Sequence, residues 1–291
     1  MKQQKTVNIL VFVVVVVALL ATLWGICSNQ GPGTYQYESI RGQMITIYGK
    51  GIYQHMSREV AVQGIAQDYV TLFIGIPLLL VSLFLTGKNS LKARFILAGT
   101  LGYFLVTYLF YTAMAMYNEM FLGYVILLGA SFFAFANTMF SFDLKQVPSC
   151  FTQSTPVKFV GGFLIFNSIT IAFLWLSVVL PPLLKGTICP PEVEHYTTLI
   201  VQGFDLGLLL PIAFVSAVLF LKRKPFGYLL ATVYMIFLSI LMTALSGKII
   251  AMASIGVNVF PAVIIIPLIN LLAIICSALL IKNINTDVKN L

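Results

Sequence analysis

Charge is scarce in this sequence. Only 9% of the 291 residues are charged while 59% are hydrophobic, against about 25% charged in soluble domains, and no soluble fold hides that much apolar surface. Histidine is nearly missing, with His55 and His195 alone, and the four cysteines Cys27, Cys150, Cys189 and Cys276 make no CxxC pair. A haem, a multinuclear metal centre or a dithiol redox site would need ligands that are not present, and no cofactor is expected. There is no Gly-x-x-x-x-Gly-Lys-[Ser/Thr] loop, no HExxH and no GxSxG. Nucleotide-driven transport by this chain, zinc proteolysis and hydrolase chemistry therefore lack their usual residues.

What the sequence has in abundance is long apolar runs. A helix needs roughly 20 apolar residues to cross a hydrocarbon core about 30 Å thick. Eight such runs lie near 7–27, 69–87, 95–116, 120–140, 159–184, 197–221, 227–253 and 261–281. They predict an all-α integral membrane protein with eight transmembrane helices, in which the first run is a retained anchor rather than a cleaved signal. Placing the N-terminus in the cytoplasm puts Lys2, Lys5, Lys88, Lys92, Arg94, Lys145, Lys158, Lys222, Arg223, Lys224, Lys282 and Lys289 inside, which is 12 of the 17 basic residues. This satisfies the positive-inside rule and predicts both termini in the cytoplasm. The net charge of +8 thus reads as a topology signal and not as a nucleic-acid surface, since the basic groups fall between apolar runs.

Residues 28–68 form the one long loop, external in this topology, and are expected to fold as a small cap. Alternation around Ile45-Thr46-Ile47-Tyr48, with Gly42, Gly49 and Gly51 nearby, predicts a hairpin between Tyr35 and Tyr53. Ser57 is placed to cap a helix that continues through Ala66 into the second run.

A repeat is visible between the second and sixth runs. Pro77, Val81, Ser82 and Lys88 recur as Pro211, Val215, Ser216 and Lys222 at one offset of 134, and Val62-Gln63-Gly64 is echoed by Val201-Gln202-Gly203 at a slightly different offset. One reading is a duplication into two parallel four-helix repeats, 1–157 and 158–291, related by a pseudo-two-fold along the membrane normal. The other is chance recurrence in apolar sequence.

Ionisable groups inside a membrane cost about 2.5–3.5 kcal/mol or more on insertion scales, so each one is a candidate for function. Asp205 is expected one turn below the outer surface, with Gln202 on the same face. Lys248, at the outer end of the seventh run, is its expected partner. Such a pair either locks two helices together or forms the floor of an outward-facing pocket. Asp68 begins the second run beside Gln67, where the helix dipole alone would favour a carboxylate, and in the repeat its place is matched to that of Asp205. Tyr117, Asn118 and Glu119 form a tight external turn. Cys27 and Cys189 end runs on the same side and could pair if their Cα atoms lie within about 7 Å.

The segments Gly51-Ile52-Tyr53, Gln67-Asp68 with Pro77-Leu78-Leu79-Leu80, Thr197-Thr198 with Gln202 and Asp205, and Lys222 to Ala231 (KRKPFGYLLA) resemble a family of uncharacterised multi-pass bacterial membrane proteins, over most of the chain. The resemblance implies a bacterial plasma membrane and adds weight to these polar positions, but it names no substrate. Three functions fit the residues. The first is binding or transport of a small polar solute or proton by Asp205, Gln202 and Lys248, with Asp68, Gln67 and Asn118. The second is an embedded enzyme acting on a lipid head group. The third is a non-catalytic sensor or assembly factor whose cap binds a partner. Beyond the lipid bilayer and such a solute or head group, no partner is specified.

Overall fold

The computed structural model describes residues 2–187 and 189–285, without the side chains of residues 2 and 3. Lys289, and with it the C-terminus, lies outside the described residues. Among these, eight helices are long and apolar enough to cross a membrane. They are α1 (Lys2–Cys27), α2 (Arg58–Gly87), α3 (Leu91–Met114), α4 (Phe121–Phe140), α5 (Val157–Lys185), α6 (Ile200–Leu221), α7 (Pro225–Ser254) and α8 (Ala262–Lys282). Their ends follow local chemistry. Ser90 caps α3 by accepting from the Ala93 amide at 3.3 Å, Pro225 opens α7 where an amide would be unpaired anyway, and Gly186 ends α5 with φ of 66°.

Consecutive helices alternate in direction, giving the bundle one end with Lys88, Lys158 and Lys222 and an opposite end that carries a small cap. The cap is an antiparallel hairpin of β1 (Tyr35–Glu38) and β2 (Met44–Ile47), in which Tyr35 pairs with Ile47 and Glu38 with Met44. One helical turn, Gly51–Tyr53, follows. Ser57 then leads into α2 as expected, although its side chain makes no capping bond. Within residues 28–68 the hairpin is thus followed by helix from Arg58 onward, continuous with the second apolar run, as expected.

The first four helices close on themselves, with α1 against α2 and α4, α2 against α3, and α3 against α4. The second four follow the same order, α5 on α6, α6 on α7 and α7 on α8, but among the described residues α5 does not pack along α8. The two groups meet where α7 packs against α3 and against the Arg58–Val70 part of α2, and α3 and α7 are the two most buried of the eight helices. Gly99 makes the crossing possible, since a β-carbon there would strike the Ile236 side chain and the Val233 carbonyl.

A second likeness between the groups is local. Both α2 and α6 widen into a five-residue π-turn, Thr71–Gly75 and Asp205–Leu209, and resume as α-helix with Pro77 and Pro211 in second place. A proline ring clashes with the carbonyl four residues back, and the extra residue of a π-turn relieves that clash. After Gly87 and Leu221, the chain turns through Asn89 (φ 62°) and Arg223 (φ 52°), and the next helices begin at Leu91 and Pro225. Every one of these features recurs at the same offset that relates Pro77 to Pro211.

Candidate functional site

Asp68 is not at a helix start. It lies well inside α2 and is only 3% exposed, so a dipole-capping role does not apply. Its carboxylate accepts from the Tyr53 hydroxyl at 2.6 Å and from the Tyr111 hydroxyl at 3.1 Å. Burial, then the neighbouring Asp68, holds the Tyr53 phenol well above its ordinary range, which keeps it a donor. Tyr124 stacks edge-on against Tyr111, with ring centres 5.1 Å apart, and Gly25 of α1 covers the remaining side. Gln67 faces elsewhere, donating to Tyr103 at 2.7 Å and Thr107 at 3.2 Å. Both residues therefore join α2 to α3 and the cap in a sealed network.

Asp205 is more open. It begins the π-turn of α6, is half-buried, and accepts from the Trp175 indole N–H of α5 at 2.7 Å. Tyr234 of α7 donates to the carbonyl of Leu209, the last residue of the turn, at 3.1 Å. The offset that aligns the two π-turns matches Asp205 with Thr71 rather than with Asp68, whose place is taken by Gln202. The expected correspondence of the two carboxylates is thus off by one turn.

Lys248 stands between the carboxylates. A β-carbon on the neighbouring Gly247 would come within 3.9 Å of Ala66 and 3.8 Å of Val70 on α2, which sets Lys248 at the level of Asp68. Its ammonium acts electrostatically on both Asp205 and Asp68, yet makes no hydrogen bond or close ion pair with either among the described residues. The direct partner of Asp205 is therefore Trp175 and not Lys248. Trp175 was not among the residues expected from the sequence, although an indole N–H within an apolar run has to find an acceptor.

A cavity of about 450 Å³ opens toward the cap, lined by Arg41, Val179, Thr197, Thr198, Gln202 and Leu206 among others. Val179 is one turn from Trp175 on α5 and Gln202 is one turn, about 5 Å, from Asp205 on α6. The cavity accordingly sits on the cap side of the Trp175–Asp205 bond. Arg41 lies in the turn between β1 and β2. Its Nη1 donates to the carbonyls of Glu194 at 3.2 Å and Tyr196 at 3.0 Å, fastening the hairpin to the segment before α6. Gln43 to the Pro191 carbonyl at 3.2 Å, and the Ser57 amide to the Tyr196 hydroxyl at 3.2 Å, complete the clasp.

Asn118 is not part of this set. It shapes its own turn, donating to the Met116 carbonyl at 3.1 Å and accepting from the Met120 amide at 2.9 Å, and with Glu119 and His55 it lines a separate cavity of about 350 Å³. Cys27 and Cys189 are both free thiols, so the considered disulfide is not formed. Among the described residues no three His, Cys, Asp or Glu side chains gather as metal ligands. Compared with family models, curated proteins and solved structures, the chain shows no match to any.

Proposed function

We propose that the chain is a multi-pass membrane protein that binds and carries a small polar solute or proton through the cavity above Asp205. The observation that carries this reading is the contrast between two carboxylates flanking one lysine. Asp68 is sealed behind two phenol donors, whereas Asp205 has a single indole donor, partial exposure and a cavity one turn away. A group buried only for stability has no use for such access. The distribution of basic residues supports cytoplasmic termini. The recurring π-turns, left-handed residues and central helices support descent from a duplicated four-helix unit, in which the two carboxylates arose at positions one turn apart.

Purified protein in proteoliposomes carrying an internal pH dye tests the reading. Asp205→Asn should lower proton or solute flux at least tenfold, while Glu119→Gln on the separate turn should leave it unchanged. Equal flux from Asp205→Asn and the parent chain would overturn it.

A further inference from the structure

We infer that the solute carries an anionic group, a carboxylate or phosphate, and that a proton on Asp205 accompanies it; this rests on the carrier reading above. The charges along the route decide the class. Among the described residues, Arg41 is the one charged residue lining the cavity, and Thr197, Thr198 and Gln202 add neutral hydrogen-bonding groups without any carboxylate. A cation would meet Arg41 first, with like-charge repulsion. An anion meets a guanidinium already held in place by two backbone carbonyls, whose other N–H groups remain for a ligand.

Deeper in, Lys248 has no hydrogen bond of its own among the described residues, and its charge is offset through space by Asp68 and Asp205. The groups facing Asp205 are Trp175 from α5, Gln202 from its own helix, and Lys248 and Tyr234 from α7, while α3 presents only the Phe110 ring against Phe204 at 5.6 Å. With both carboxylates ionised, the three charges sum to −1 and repel an anion. A proton on Asp205 brings the sum to zero and leaves Lys248 able to draw the anion inward. One proton and one negative charge then enter together, so the charge held by the site is the same before and after loading. No bond other than that to the proton is made or broken.

The test uses the full chain in proteoliposomes, with inorganic phosphate and acetate as anionic probes, choline as a cation and glucose as a neutral solute. Binding is followed by thermal shift, with phosphatidylglycerol against phosphatidylcholine vesicles as the lipid arm. Phosphate or acetate should bind and enter with a proton. Arg41→Gln should raise the half-saturating concentration at least tenfold, and Arg58→Gln, an exposed cation elsewhere, should leave it unchanged. Because Arg41→Gln also loosens the cap, Lys248→Gln is the second variant, expected to abolish anion-coupled proton entry with the cap intact. Stabilisation by phosphatidylglycerol alone, lost in Arg41→Gln, would support the same anionic chemistry with a lipid as its source. Saturable, Asp205-dependent uptake of choline or glucose without anion binding would overturn the inference and leave the carrier reading standing. Absence of any Asp205-dependent flux would bring down both.

Discussion

Gly25 of α1 lies so close to the Asp68 carboxylate of α2 that a β-carbon at residue 25 would overlap Oδ2. Only glycine lets the two helices meet where the carboxylate takes its phenol donors. Gly25→Ala should therefore cost about 1–3 kcal/mol of stability, the range of overpacking in a filled interior. Thermal unfolding in detergent measures it. Gly162→Ala, where nothing lies within 4 Å, is the control and should be neutral or slightly stabilising.

The two carboxylates should separate stability from function. Tyr53→Phe removes a donor from buried Asp68 and is expected to destabilise by about 1–3 kcal/mol. Trp175→Phe removes the one donor of half-buried Asp205 and should lower the melting temperature less while changing solute binding more. Unfolding curves and binding titrations on the same two preparations check this; equal destabilisation by both would contradict it.

The clasp between cap and bundle should weaken as pH rises. Burial pushes the Glu194 carboxyl above its usual range, with Ser57 and His195 opposing. An acid whose folded pKa is raised binds its proton more tightly in the folded state, so its contribution is present below the ordinary carboxylate pKa and is lost as pH climbs through the raised one. Hydrogen exchange of the 189–198 segment should therefore speed up across that window. Glu194→Gln should flatten the pH dependence, and an unchanged profile in that variant would rule out Glu194 as its source.

Thiol reactivity follows from burial. Cys27 is exposed and Cys189 half-buried, while Cys150 and Cys276 are buried. A maleimide should add to the first two in the folded protein and to all four only after denaturation, as read by intact mass. Failure of Cys27 and Cys189 to react without prior reduction would mean that they are bonded.

Much of the helical layout can be read in the chain because a bilayer-length apolar run is a local property. Ile45-Thr46-Ile47 announced its strand for the same reason. The polar start of α2, Arg58 to Gln67, lies outside the apolar run, yet Ser57 as a cap residue marked where that helix begins. Asp205 was identifiable as a charge in an apolar run. Its partner was not, since Trp175 is thirty residues away and hydropathy treats an indole as one more apolar group. Arg41 was hidden for a similar reason, because its acceptors are backbone carbonyls more than 150 residues on. The Pro77–Pro211 offset was visible, but the meaning of its register came only with the π-turns, which set Thr71 and not Asp68 opposite Asp205.

Helix α7 is held by the first four helices in two places, against α3 at Gly99 and against Ala66 and Val70 of α2. At Gly99, contact with Ile236 and Val233 leaves no room for sliding. The grip of Arg41 on the Glu194 and Tyr196 carbonyls is a further tie between the two groups, made of hydrogen bonds and not of interlocked helices. It is the tie that can part without repacking a helix, and parting it would change the width of the cavity mouth beneath it.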